Sequence, residues 1–451
     1  MEKFDEAYVV TVDMGYGHQR AAKPLKEIAA SPPGWQGEGG IITANNYAGI
    51  PKSDRNKWHS SRRLYEIVSR IKHLPIIGEK IFGIMDYLQR IEPFYPKRDL
   101  SEPTFQLKQI YRAVRGGLGK DLIDILNKDP KPYFTTFFTT AFFAEEHGYN
   151  GEIYCLCTDT DIARTWAPLN PEKSEINYLA PTRRARERLE LYGVNKENIY
   201  TTGFSLPKEN IGDEGELMDL RQDLGCRIAN LDPDNIFQRK YEATLKEYLG
   251  EDYCGIDSDH PLTITFAVGG AGAQRELGTT ILDSLHKHIN RGDVRLNLIA
   301  GARNDVYRYY QEELQKLELQ HQHGEMLNII FDSEKQKYFE KFNQVLKTTD
   351  ILWTKPSELT FYSALGVPII MAPPIGCQEE FNREWLLSIG AGFDQGNPEY
   401  THEWLFDWLE SGWLAEAAME GFLDAPINGT ENIEDVILKG KRSEIEEVHL
   451  L

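Results

Sequence analysis

Short, wholly apolar runs alternate along the chain with longer stretches in which apolar residues recur every three or four positions. That is the pattern of parallel strands buried on both faces and joined by amphipathic helices. Residues 7–12 (Ala-Tyr-Val-Val-Thr-Val) predict the first strand, followed by a glycine-containing turn and a helix over 19–30. The same opening returns at 262–268 (Leu-Thr-Ile-Thr-Phe-Ala-Val), again with a glycine-rich turn and then a helix through 285. Further strands are predicted at 133–138, 153–158, 296–300, 327–331, 351–354 and 368–372, with helices at 180–192 and 305–319 among them. Two βα openings about 250 residues apart predict two doubly wound α/β domains. We place them at 1–212 and 261–420, joined by a connection over 213–260 with helix-like segments at 217–224 and 237–249. Residues 401–423 read as an aromatic-rich helix, and 421–451 as a tail with frayed last residues.

With 451 residues, 41% of them hydrophobic, the chain has enough apolar material for two cores and excludes a disordered or collagen-like class. Seventy acidic against fifty basic residues give a net charge of −20, which repels nucleic acid, so no nucleic-acid partner is expected. Cys155, Cys157, Cys226, Cys254 and Cys377 are few and scattered and read as reduced thiols of a cytoplasmic protein. Cys155 and Cys157 alternate within an apolar run and so share one strand face in the core. No signal peptide is read at the amino terminus, and no run reaches the length needed to span a bilayer, so the sequon at Asn428 reads as accidental.

The exception to the acidic balance is the segment 51–115, with fourteen basic and seven acidic residues. Its apolar and aromatic stretch over 64–88 is flanked by cations. Such a segment either lies on an anionic membrane surface or packs as a helical insertion on the first domain.

Candidate chemistry clusters at the strand-end turns. In the first, Gly15 and Gly17 allow a sharp bend and close approach of a ligand to the backbone, and His18 stands at the helix entrance. His18 is either structural or takes a proton from a hydroxyl nucleophile. Arg20 occupies the position where a dinucleotide fingerprint needs a small residue, so NAD binding is not expected. The second turn, from Gly269 to Arg275, shares that departure. It is accompanied by two polar blocks after predicted strands: Thr354-Lys355-Pro356-Ser357-Glu358-Leu359-Thr360, and the stretch from Pro373 through Gln378, Glu379 and Glu380 to Asn382. Open α/β sheets bind ligands at such strand ends.

Several motifs together resemble the GT-B glycosyltransferases, in the branch containing monogalactosyldiacylglycerol synthase and the lipid II-forming N-acetylglucosaminyltransferase. They are Gly15-Tyr16-Gly17-His18-Gln19-Arg20-Ala21-Ala22; Thr158-Asp159 followed by Asn177-Tyr178-Leu179-Ala180-Pro181-Thr182 and Thr202-Gly203; Ile299-Ala300-Gly301-Ala302-Arg303-Asn304; and Gln378-Glu379-x-x-Asn382. The resemblance spans about residues 9–392.

It implies two Rossmann-like domains facing across a cleft, the first holding an acceptor and the second a nucleotide sugar, usually UDP-linked. Carried over by position, Gly269 and Gly270 would cradle the diphosphate and Phe331 would lie beside the base. Gln378, Glu379 and Asn382 would contact the sugar hydroxyls. Arg303 either compensates charge on the departing diphosphate or forms a surface ion pair. The family's ribose-binding Glu has no counterpart in the helix from Thr360 to Gly366; Ser363 or Phe361 falls at that position, and nearby Glu358 is a substitute. Lys355 lies in the same donor-side turn. Asp159 would face the acceptor and orient His18, with Asp161 beside it, and no metal or other cofactor is implied because helix termini and cations hold the leaving group.

The reading is an inverting, metal-independent hexosyltransferase that moves a sugar from a nucleotide donor to a hydroxyl of a lipid or lipid-linked acceptor. The protein would then sit in the cytoplasm, peripherally on the inner membrane face. A nucleotide-sugar 2-epimerase and a non-catalytic sugar-nucleotide-binding protein are the alternatives.

Overall fold

The computed structural model describes residues 4–35, 40–59, 91–212, 217–253, 255–267, 272 and 274–440. The predicted stretch at 64–88 and the pair Gly269 and Gly270 lie outside them. The chain divides into two compact units. One comprises Met1–Leu206, Ile375–Asn382 and Asn428–Leu451; the other comprises Pro207–Pro374 and Arg383–Ile427.

Each unit is built on a six-stranded sheet whose strands pair in parallel throughout. The expected pair of doubly wound α/β domains is therefore present. In the first unit the strands are β1 Tyr8–Thr11, β2 Ile42–Thr43, β3 Tyr133–Thr135, β4 Ile153–Leu156, β5 Ile176–Ala180 and β6 Ile199–Thr201, in the order β2-β1-β3-β4-β5-β6. Its topological switch falls between β1 and β3. The second unit holds β7 Leu262–Ala267, β8 Val294–Gly301, β9 Leu327–Phe331, β10 Ile351–Thr354, β11 Ile369–Met371 and β12 Gly392–Asp394, ordered β12-β11-β10-β7-β8-β9. Numbered from its own first strand, that order is 3-2-1-4-5-6, with the switch between β7 and β10.

The central strands are buried on both faces, which is why they read as continuous apolar runs. Cys155 and Cys157 lie in the first core as expected, and burial pushes both thiols up from their ordinary values. Four strands carried no readable pattern. β2, β6 and β12 are only two or three residues long. At β5 the chain stays extended to Ala180; the helix predicted from 180 begins at Arg183, where the Thr182 side chain accepts the Ala185 amide as an N-cap.

The helix predicted over 19–30 is α-helical only for Gly17–Ala22 and continues as a 3-10 turn over Lys23–Ile28. Pro24 is the physical reason, since it lacks the amide that would extend the α ladder. The helix predicted over 401–423 is two helices, Thr401–Glu410 and Trp413–Asp424, parted by Gly412 at φ +73°.

The chain's division differs from the sequence expectation in several places: residues 207–212 fall in the second unit and Ile375–Asn382 in the first. Residues 217–260 pack with the second unit and do not stand apart as a connection. Helix Met218–Leu231 is anchored there by fully buried Arg227, which donates to the carbonyls of Thr349, Leu365 and Gly366. Within 421–451, the helix Gly429–Lys439 belongs to the first unit. Thr430 Oγ1 donates to the Leu206 carbonyl at 2.6 Å, Asn432 Nδ2 to the Thr202 carbonyl at 3.0 Å, and the Phe4 amide to the Leu438 carbonyl at 3.1 Å.

Candidate functional site

The first unit gathers its candidate chemistry at the β1/β3 switch. The turn after β1 is tied to the loop after β2, since the Asp13 amide donates to Asn45 Oδ1 at 2.7 Å and Asn45 Nδ2 to the Asp13 carbonyl at 3.1 Å. Gly15 takes φ +118°, a conformation side-chain-bearing residues rarely adopt, and nothing lies within 4 Å of where a Cβ would stand. Gly17 then starts the short helix that carries His18.

His18 Nδ1 lies 2.8 Å from the carbonyl oxygen of Thr136, which directly follows β3. A carbonyl only accepts, so Nδ1 carries the proton, and in the neutral ring the lone pair is on Nε2. The Thr136 hydroxyl donates in turn to the His18 carbonyl at 3.0 Å and accepts from Thr11 Oγ1 at 3.1 Å. Phe137 meets the imidazole edge-on, with 4.8 Å between ring centroids, and continues an aromatic wall through Trp58, Phe138 and Trp166. Thr136, Asn45 and this wall were not singled out from sequence. Thr136 and Phe137 fall inside the strand predicted at 133–138, which in fact ends at Thr135, so the sequence did not mark them as strand-end residues.

The two aspartates have different surroundings. The nitrogen of His18 that an orienting carboxylate would take is bonded to the Thr136 carbonyl, while Asp159 accepts from Asn382 Nδ2 at 3.0 Å. Asp161 is 1% exposed and forms a bidentate pair with buried Arg188, both bonds 2.8 Å, while also accepting the Ile162 amide. Its carboxylate is thus bound within the first unit on both oxygens.

In the second unit, β7 and β10 are neighbours at the switch; Lys355 follows β10 and Glu358 opens the 3-10 helix Glu358–Leu365, and both are half-buried. Gly272, at φ +68°, leaves so little room that an added Cβ would lie 3.1 Å from Arg303 Nε and 3.0 Å from Val306. Arg303 therefore packs against Gly272, and it also makes a bidentate pair with Asp305 at 3.1 and 2.8 Å. Gln274 closes the turn by donating to the Pro373 carbonyl at 3.0 Å, which links the ends of β7 and β11. Phe331 ends the edge strand β9 and stacks on Tyr307 with 4.8 Å between centroids.

Further residues that the resemblance carries to the donor side have the following surroundings. Ser363 is fully buried beneath helix Trp413–Asp424, where a Cβ on Gly421 would come within 2.5 Å of its carbonyl oxygen, so it does not face a ribose. Phe361 is also buried, against Trp385. Glu379 accepts the Ile375 amide at 2.6 Å and closes its own loop. Asn382 is fully buried, and its Oδ1 accepts both the amide and the hydroxyl of Thr160 at 2.9 Å, which commits its side chain to the loop after β4 and away from a sugar. Gln378 is half-buried in the same segment.

Among the described residues no group of three or more His, Cys, Asp or Glu is arranged to hold a metal ion, and no helix is long and apolar enough to cross a membrane.

A domain family of unknown function, DUF6938, matches residues 254–394. No curated protein matches the sequence significantly. Among solved structures, the UDP-GlcNAc 2-epimerase of Neisseria meningitidis bound to UDP-GlcNAc is similar at 14% identity and TM-score 0.44, over 75% of this chain and 84% of that one. The MnaA–UDP structure from S. aureus is similar at 12% identity and TM-score 0.44, over 81% and 86%. MurG of Acinetobacter baumannii is similar at 14% identity and TM-score 0.41, over 83% of this chain and 96% of that one.

Proposed function

We propose that the protein is an inverting glycosyltransferase of the GT-B type, taking a sugar from a nucleotide donor, UDP-linked by preference, to a hydroxyl of a lipid or lipid-linked acceptor. The observation that carries this reading is His18, held at the switch of the first sheet with Nδ1 on the Thr136 carbonyl. That tautomer makes Nε2 the basic nitrogen, as removal of a proton from an acceptor hydroxyl requires. The acceptor oxygen then bonds to the anomeric carbon while the bond from that carbon to the diphosphate breaks, and the nucleoside diphosphate leaves with the electron pair. The turn after β7, with Arg303 packed against Gly272, takes the diphosphate, and Lys355 and Glu358 line the approach from β10. The aromatic wall beside His18 suits the apolar part of an acceptor.

The acceptor class is further supported by the described flank of the basic segment. There Tyr95 and Phe105 are 68% and 67% exposed, and Arg184 lies over the rings of Phe94 and Tyr95. Exposed aromatics beside cations suit an anionic membrane surface.

Thermal unfolding with UDP-, GDP- and dTDP-sugars identifies the donor, since a ligand bound only by the native state raises the melting temperature. The donor so found is then incubated with lipid extract and followed by NMR. Release of the nucleoside diphosphate with a new glycolipid is the expected result. An epimerised donor with no acceptor product would identify a 2-epimerase, and binding without turnover a sugar-nucleotide sensor; either overturns the transferase reading.

A further inference from the structure

The edge of the second sheet carries a polar face for which the proposed reaction has no use. Along β8, Leu296 and Leu298 turn to one side, and Arg295 and Asn297 to the other. There Asn297 stands in register with Asn328 of β9. One run of hydrogen bonds crosses three strands from this pair. Asn328 Nδ2 donates to Asn297 Oδ1 at 2.9 Å, and Asn297 Nδ2 to Thr265 Oγ1 at 3.2 Å. Thr265 and Thr349 hydroxyls meet at 2.7 Å, and Thr349 donates to the Val345 carbonyl at 2.8 Å. With its one proton on Val345, Thr349 must accept from Thr265, so every donor points the same way and both amides are fixed in orientation. Asn297 is 3% exposed and Thr265 fully buried.

The outer end of this ladder opens on a cavity of about 520 Å3, whose lining includes Arg295, Asn297, Asn328, Ile330 and Val345, with Glu325 as its one acidic residue. That volume is in the usual range for small-molecule sites. At the outer end Asn328 keeps its carbonyl oxygen and second N–H side by side, a donor and an acceptor with a set direction. Arg295 Nε donates to the Glu325 carbonyl at 3.1 Å, which steadies the guanidinium plane. Among the described residues no carboxylate pairs with Arg295. Ile330 and Val345 supply apolar walls.

We propose that this cavity binds a small organic anion, its phosphate or carboxylate held by Arg295 and its polar edge read by the Asn328 and Asn297 amides. The cavity lies toward the amino-terminal ends of β8 and β9, whereas Arg303 and the turn after β7 lie at the opposite end of the sheet. The anion is thus a second ligand of the unit, separate from the nucleotide sugar. A planar guanidinium beside an oriented amide suits a phosphosugar or a hydroxy acid better than a bare ion.

The test is thermal unfolding of the full chain with N-acetylglucosamine 6-phosphate, 3-phosphoglycerate and citrate as probes. At least one should raise the melting temperature of the wild type by a few degrees. That shift should vanish in Arg295→Gln and shrink in Asn328→Leu, or in Asn328→Ser if the leucine variant melts early without ligand. The shift caused by the nucleotide sugar should persist in Arg295→Gln, which separates this site from the donor site. A wild type that responds to none of the three probes overturns the proposal, as does a shift of equal size in Arg295→Gln.

Discussion

Thr136 holds His18 at two points: its carbonyl accepts from the ring Nδ1 at 2.8 Å, and its hydroxyl donates to the His18 carbonyl at 3.0 Å. Ring and backbone of one residue are thereby fixed by a single neighbour across the β1/β3 switch. A carbonyl in this role sets the tautomer as firmly as a carboxylate does, but adds no charge to stabilise an imidazolium. If His18 acts on an acceptor hydroxyl as proposed, the nitrogen that takes the proton is Nε2.

His18→Ala should lower turnover by about 10²- to 10⁴-fold, the range for removal of a general base, and leave the donor-induced rise in melting temperature intact. Loss of both together would make His18 a binding or structural residue.

Asn382→Asp tests the structural assignment of a residue that the sequence resemblance gives to the sugar. The substitution keeps acceptors for the Thr160 amide and hydroxyl but sets a carboxylate where Nδ2 now donates to Asp159 at 3.0 Å. Two close carboxylates in a buried position should cost about 2–4 kcal/mol at pH 7. The loss should shrink toward pH 4, where one carboxyl gains a proton and donates to the other. Unfolding at both pH values measures it; a variant as stable as the wild type at pH 7 refutes the assignment.

At Gly429, an added Cβ would stand 2.0 Å from the Phe204 carbonyl oxygen and 2.8 Å from its amide nitrogen. Both are backbone atoms, so no side chain can rotate to make room. Gly429→Ala should displace the helix Gly429–Lys439, weaken the bonds from Thr430 to Leu206 and from Asn432 to Thr202, and cost about 1–3 kcal/mol. Limited proteolysis should then release the carboxy-terminal segment faster than from the wild type.

What the sequence made legible follows the range of the forces involved. Both βα openings were readable because Tyr8–Thr11 and Leu262–Ala267 are continuous apolar runs, and the turns behind them because glycine marks backbone that other residues avoid. The role of Asn382 was not readable. Its partners lie more than 220 residues earlier, and nothing in a Gln-Glu-x-x-Asn spacing separates an asparagine facing a sugar from one bonded to a loop. The pairing of Asp161 was hidden for the same reason, because Arg188 reaches it only once helix Arg183–Leu191 is in place. Ser363 was judged from its position in a motif, whereas its burial is decided by Gly421, a residue distant in sequence.

Two groups of the second unit should each give stability a pH window of their own. Burial raises Asp223 from 3.8 to about 6, against the opposing pull of Arg227 and Lys347. Between those values the native state keeps a proton that the unfolded chain has lost, so stability falls as pH rises from about 4 to 6. Asp223→Asn should remove this slope and stabilise the protein at pH 7 by roughly 1–2 kcal/mol, discounted for the group's partial exposure, with little effect at pH 3. His260 carries the second window. Burial lowers its pKa, but hydrogen bonds to Asp350 at 3.2 Å and Asp259 at 2.6 Å outweigh that and raise it above 6.5. Its contribution is complete below pH 6.5 and is lost as pH climbs through the raised value, because the neutral ring no longer answers the buried Asp350 carboxylate. His260→Gln should flatten only this upper limb and Asp223→Asn only the lower one, so unfolding curves of the two variants from pH 3 to 9 assign each limb to its residue.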